Sequence, residues 1–251
     1  MEIKFFADIT ELEQLSLEMQ FQKVKEAGYD GIQLTVEDVK NTTLLKELLD
    51  TYQLQCIAQI NTSGINGEAH KNSFKKQLDI CAPLNPVVIN ALTGKDYFSF
   101  GENVQILNEA IVLEKTYGIH ITHEMYRGRF SFAAHMMERY LSLLPNLKIA
   151  ANFSEWCTVA GTYLEDQQEA VSMAVKKSYH IKGNWHGTSS GKVRENQKYA
   201  DEKFLYWWHR IIQYQDHKIA VLPITVPYKS KFLVGGNDLK LVLGTRNPLL
   251  S

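Results

Sequence analysis

The stretch SFGENVQILNEAIVLEKTYGIHITHE (Ser99–Glu124) carries a whole structural unit in its residue order. Ser99 precedes Glu102 by three positions, the spacing at which a hydroxyl and a carboxylate satisfy the first free amide donors of a helix. Val104, Leu107 and Ile111 then recur at helical spacing along one face. Gly118 stands where such a helix must stop, and the β-branched run after it reads as a strand that ends on a carboxylate.

The same grammar recurs in both directions. Toward the N-terminus, Thr10 and Glu13 repeat the capping spacing, Leu17, Phe21 and Val24 share a face, and Gly28 leads into another strand. The β-rich runs fall at residues 3–6, 31–36, 54–61, 87–92, 119–124, 147–153, 179–184 and 219–226, with helical segments between them. Connections of that length cannot be hairpins, so the strands must be parallel with helices outside. Eight such units predict an α/β fold of (β/α)8 TIM-barrel type. An open doubly wound sheet gives the same alternation, but no G-x-G-x-x-G follows the first strand. After Val226 the chain lacks a sustained helical period, and Gly235-Gly236 interrupts it, which predicts an incomplete or irregular eighth helix. The tail at 229–251 would then fold back on the barrel, or a second subunit would cover the seam in a homodimer.

Charge and composition exclude several classes of function. The 251 residues hold 27 Lys plus Arg against 28 Asp plus Glu, so no bulk field attracts nucleic acid or an acidic membrane. A hydrophobic share of 45% supports a large core, and no Pro- or Ser-rich linker divides it, which predicts one domain over 1–251. No signal-peptide pattern or bilayer-length apolar run is visible, so the expected location is cytoplasmic. Cys56, Cys81 and Cys157 lack metal-site or paired spacing and read as reduced thiols.

In a barrel of this kind the reactive groups gather at the carboxyl ends of the strands. Strand five offers Glu124, followed by Arg127 and Arg129. A carboxylate there can move a proton next to a carbonyl, while a guanidinium can grip a phosphate or carboxylate. A salt bridge between Glu124 and one arginine is the structural alternative. Strand four gives Asn90, then Lys95 and Asp96 before Tyr97, Phe98 and Phe100, which could wall a sugar or simply pack. Alternation on strand seven puts His180, Lys182 and Asn184 on one face, with Glu124 as a counter-ion for the lysine. Trp185 and His186 follow, and then the small, basic loop Gly187–Lys192, which could bind an anion or merely connect. Strand six ends at Asn152 and Glu155. No dense histidine metal motif appears on any element.

The segments EAGYDGIQL (Glu26–Leu34), INALTGKDYFSFGEN (Ile89–Asn103) and HEMYRGR (His123–Arg129) resemble the sugar phosphate isomerase/epimerase group of the xylose-isomerase-like TIM barrels. That resemblance implies carbohydrate metabolism and a divalent Mn, Mg or Zn ion held by Glu, Asp, His and Glu on successive later strands. Glu124 matches the first ligand. The resemblance places Asn152 and Glu155 where the family has Asp and a following His, Lys182 at the ligand His, and Val226 near the last Glu. Gln33 stands where many relatives carry Glu. An ammonium at one ligand position repels a cation, and valine offers no lone pair. The expectation is therefore that no cofactor is held and that Lys182 replaces the ion. A rebuilt metal site would use Glu124, Glu155 and His180.

The expected function is a sugar or sugar phosphate isomerase or epimerase with a remodelled site. Its catalytic candidates are Glu124, Lys182, His180 and Glu155, and its substrate contacts are Arg127, Arg129, Asn90, Lys95, Asn152, Trp185 and His186. A catalytically silent barrel binding a sugar or a partner is the alternative, so the sequence leaves open whether the protein is an enzyme. Distant endonuclease relatives of the fold suggest DNA cleavage, which the balanced charge opposes.

Overall fold

The computed structural model describes residues 3–183, 197–214, 219–223, 232–235 and 238–241. Eight parallel strands pair in sequence order: β1 (Lys4–Asp8), β2 (Gly31–Thr35), β3 (Gln55–Asn61), β4 (Val88–Leu92), β5 (Ile121–Glu124), β6 (Ile149–Ala151), β7 (Ser178–Lys182) and β8 (Ile219–Pro223). The last pairs with the first, Lys4 opposite Ile219, and closes the barrel. Its helices are α1 (Leu17–Glu26), α2 (Thr42–Tyr52), α3 (Gly67–Cys81), α4 (Phe100–Tyr117), α5 (Ala134–Leu143), α6 (Phe153–Ala160), α7 (Gln168–Lys177) and α8 (Gln197–Tyr214).

The unit from Ser99 to Glu124 forms as its residues dictate. Ser99 and Glu102 make both bonds of the capping box, and Gly118 ends α4 in the left-handed region at φ +68°. The start of α1 differs from expectation. Thr10 does not cap it; the Asp8 carboxylate accepts both the Thr10 amide (3.2 Å) and its hydroxyl (2.6 Å), winding residues Ile9–Leu12 into a 3₁₀ turn. With those donors taken, α1 begins later, where Ser16 accepts from the Met19 amide. The first strand accordingly runs two residues past the expected end and reaches Asp8.

Two apolar layers hold the frame. The larger lies between strands and helices and includes Phe21, Leu107, Ile149, Trp156 and Trp207. The smaller holds Phe6, Ile57, Val88, Tyr179 and Val221. Gly31 makes room for it, because a Cβ there would lie 2.4 Å from the Phe6 ring. Cys56, Cys81 and Cys157 are buried free thiols whose pKa burial pushes up to about 12, which keeps them inert.

Among the described residues after β8 there is no helix. Instead β9 (Phe232–Gly235) and β10 (Asp238–Leu241) pair antiparallel; the rest of the chain after β8, where an incomplete eighth helix was expected, lies outside the described residues. No helix among the described residues is long and apolar enough to cross a membrane.

Candidate functional site

Strand alternation delivers a belt of polar side chains to the carboxyl-terminal end of the barrel. Asp8, Gln33, Gln59, Asn90, Glu124, Asn152 and Lys182 come from β1 to β5, the end of β6 and β7, and hydrogen bonds link them in a chain that runs from Lys182 through Asp8 to Asn152. Gln33 Nε2 donates to Asp8 Oδ2 (2.9 Å) and to Gln59 Oε1 (2.8 Å). Asn90 Nδ2 donates to Glu124 Oε2 at 2.5 Å, and Asn152 Nδ2 donates to Glu124 Oε1 at 3.1 Å. Lys182 Nζ donates to Asp8 Oδ2 at 3.1 Å.

The direct partner of Lys182 is thus Asp8, not Glu124 as the sequence suggested. No ion pair joins Lys182 to Glu124, although the two interact electrostatically across the site. Strand order does not choose between them, since β7 stands two positions from β1 and two from β5; both oxygens of Glu124 already accept amide donors, from Asn90 and Asn152. Only 3% of the lysine side chain is exposed, which makes a charged partner obligatory.

Burial and charge divide the ionisable groups of the belt. Burial pushes the Glu124 carboxyl above the usual carboxylate range, and Lys182, Asn90 and Asn152 offset this only in part. Burial acts on Asp8 in the same direction, but the Lys182 ammonium and the Thr10 bonds outweigh it and hold that carboxyl low. Burial alone would lower Lys182; Asp8 first and Glu124 second hold it above the ordinary lysine value, so it stays an ammonium. His180, on the same face of β7, is fully buried and its pKa is lowered to about 3 by burial and by Lys182.

Three polar atoms facing this interior are buried without a hydrogen-bond partner: Asn90 Oδ1 and both ring nitrogens of His180. Their bonding capacity suits a hydroxylated ligand, since a buried polar atom left unpaired is costly. The tip of β5 is rigid. Ser131 Oγ donates to the Glu124 carbonyl at 2.5 Å, and Trp156 Nε1 donates to the Ser131 carbonyl at 2.7 Å.

The remaining expected site residues separate into groups. Arg127 bonds Glu155 at 2.7 Å, outside the belt, so the alternative of an arginine on Glu124 is not realised. That pair gives Glu155 the Arg127 guanidinium and backbone amide as partners. Arg129 is half-buried at the rim, where its Nη1 donates to the carbonyls of Thr62 (2.9 Å) and Gly94 (3.3 Å). Among the described residues it forms no ion pair within 4.0 Å, so its remaining donors can face an anion. Lys95 is half-buried on the rim, its backbone fixed by Asn103. Phe98 packs against His70 and Phe100 against Tyr140, while Tyr97 remains exposed. Asn184, Trp185, His186, the loop at 187–192 and Val226 lie outside the described residues.

Asp8 and Gln59 were missed in the sequence. Alternation from Phe6 placed Asp8 on an inward face, but the strand was read as ending before it.

A resident divalent ion does not fit the donors present. Glu124 is joined by amides that turn their NH₂ groups toward it and by an ammonium, and no cluster of three or more His, Cys, Asp or Glu side chains suited to a metal occurs among the described residues.

No protein-family model matches the chain, and no curated protein matches it in sequence. Solved structures do match. A xylose isomerase domain containing protein from Salmonella typhimurium LT2 superposes with a TM-score of 0.62 at 14% identity, over 89% of this chain and 90% of that one. The fold is that of the xylose-isomerase-like barrels. Two other such barrels are similar at a TM-score of 0.64. D-allulose 3-epimerase from Methylomonas sp. is 13% identical over 88% of this chain and 84% of that one. The probable 3-DHS dehydratase AsbF of Bacillus anthracis, involved in petrobactin synthesis, is 15% identical over 88% and 92%. Among xylose-isomerase-like barrels, then, one frame carries different reactions, and the site residues must decide between them.

Proposed function

We propose that this barrel binds a sugar or sugar phosphate at its carboxyl-terminal mouth and interconverts isomers or epimers by proton transfer, without a divalent metal. The observation that carries the reading is the belt itself: a buried ammonium between two carboxylates, with unsatisfied Asn90 and His180 atoms beside it. Glu124 is the proton-transferring group. Lys182 bonds the substrate carbonyl oxygen and stabilises the negative charge that develops there, the part a metal takes in other sites. Its raised pKa disfavours the neutral amine that a Schiff base needs, so it acts as a charge and not as a nucleophile. Asn90 and Asn152 orient Glu124, and Arg129 is the anchor for an anionic substituent. The similarity to sugar epimerases supports the substrate class.

The test is solvent deuterium incorporation. Ketoses and their phosphates incubated with the protein in D₂O should gain deuterium at the carbon next to the carbonyl, and Glu124→Gln should abolish the gain. A catalytically silent, sugar-binding barrel is the second reading, favoured by the Arg127–Glu155 pair, which engages one of the candidate acids. It requires sugar binding with no exchange.

A further inference from the structure

At the amino-terminal end of the barrel, opposite the belt, a cavity of about 350 Å³ opens between the end of α4, the loop before β6 and the end of α7. Four lysines line it, Lys115, Lys148, Lys176 and Lys177, against a single carboxylate, that of Glu114. That carboxylate is already committed: Oε1 accepts from Lys148 Nζ at 2.5 Å, and Oε2 accepts from the Ile121 amide at 3.0 Å. Burial would raise its pKa, but Lys148, the Ile121 amide and His120 outweigh burial and hold it low, so Glu114 stays charged. Lys177 Nζ donates to the Pro145 carbonyl at 2.5 Å, a bond that positions the ammonium without neutralising it. Among the described residues neither Lys115 nor Lys177 has a carboxylate within ion-pair distance.

We propose that this cavity is a binding site for a compact multivalent anion, one that carries two or more phosphate or carboxylate groups. The chain as a whole has a net charge of -1, so an excess of three positive charges in one hollow does not follow from composition. Like charges gathered in a concave site repel one another and draw in a counter-ion. Lysines in the last turn of a helix also favour its dipole, a role open to Lys115 in α4 and to Lys176 and Lys177 in α7. That role needs no shared cavity, and Lys148, which stands in a loop, has no part in it. The volume falls near the lower end of the range for small-molecule pockets, about 300–1,000 Å³, which suits a small ligand better than a protein segment. Ammonium groups act as point charges, so the number of charges on the ligand selects it more than its shape does. Strands β5, β6 and β7 begin beside the cavity and run to the belt at their other ends, so this anion is distinct from any held by Arg129 at the mouth.

Calorimetric titration of the full chain with inorganic pyrophosphate and, separately, with citrate tests the site in a chloride buffer of low ionic strength. The wild-type chain should bind at least one of the two, more weakly as chloride is raised. Preference between the probes tells a phosphate ligand from a carboxylate one. Lys115 and Lys176 are exposed, so replacing both by Gln should leave the urea midpoint near its wild-type value. The same double variant should bind the preferred probe about tenfold more weakly or worse. Lys25→Gln combined with Lys46→Gln removes as much charge from exposed positions on α1 and α2, and should keep the wild-type affinity. Absence of binding of either probe by the wild-type chain overturns the site. So does undiminished affinity in the Lys115→Gln, Lys176→Gln variant, which would leave these lysines as partners of helix ends, and so does an equal loss in both double variants, which would reduce the binding to diffuse surface charge.

Discussion

Lys182 on β7 and Asp8 on β1 are 174 positions apart in sequence and 3.1 Å apart in space, the only ion pair inside the barrel among the described residues. Its geometry makes the two side chains mutually dependent. The ammonium is almost fully buried and has no other carboxylate within ion-pair distance among the described residues, and Asp8 draws on it to remain ionised.

Removing one partner should therefore cost more than removing both. Lys182→Met leaves Asp8 beside an apolar chain and should destabilise the fold by about 3–5 kcal/mol, a typical cost of a broken buried pair. Adding Asp8→Asn should restore much of that loss. Urea unfolding of the wild-type, single and double variants measures the coupling, and strict additivity would show that the pair is not coupled.

Acid should weaken the fold earlier than carboxylate titration alone would cause. His123 and His180 are fully buried, and burial lowers both to about 3. The unfolded chain binds those protons near the ordinary histidine value of about 6.5, so stability is lost as pH falls from there toward 3. Asp8, held low, adds to the loss only below the ordinary aspartate range, whereas Glu124, held high, acts in the opposite sense and loses stability as pH rises through its own value. Urea midpoints at a series of pH values should fall below about pH 6.5, and His180→Asn should flatten the slope.

The two arginines should behave differently. Arg127→Ala removes an exposed pair with Glu155, a change of about 1 kcal/mol at most, and should leave ligand affinity intact. Arg129→Gln removes a guanidinium anchored to two loop carbonyls, and titration calorimetry should show weaker binding of a sugar phosphate with little change for the unphosphorylated sugar. Equal effects on both ligands would reduce Arg129 to a strut between loops.

Much of the fold is legible from residue order because its signals are local. The capping box at Ser99, the stop at Gly118 and the β-branched run after it need no distant partner to be read. The inward faces of β5 and β7 were legible too, since alternation alone puts Glu124 with Thr122 and Lys182 with His180. What escaped was pairing. Nothing near Lys182 points to Asp8, and nothing near Arg127 points to Glu155; both contacts exist only once the ring closes or α6 folds over the rim. The strand end at Asp8 was hidden for a related reason: Thr10 looked like a helix cap, while its donors belong to Asp8.

The central claim is that the Lys182 ammonium, paired with Asp8 and acting on Glu124 through space, takes the place of a metal ion in the belt. Metal content by mass spectrometry, on protein purified without chelator, tests it most directly. The account expects manganese, magnesium and zinc all far below one atom per chain, in wild-type protein and in Glu124→Gln alike. One tightly held divalent ion per chain, lost in Glu124→Gln, would contradict it.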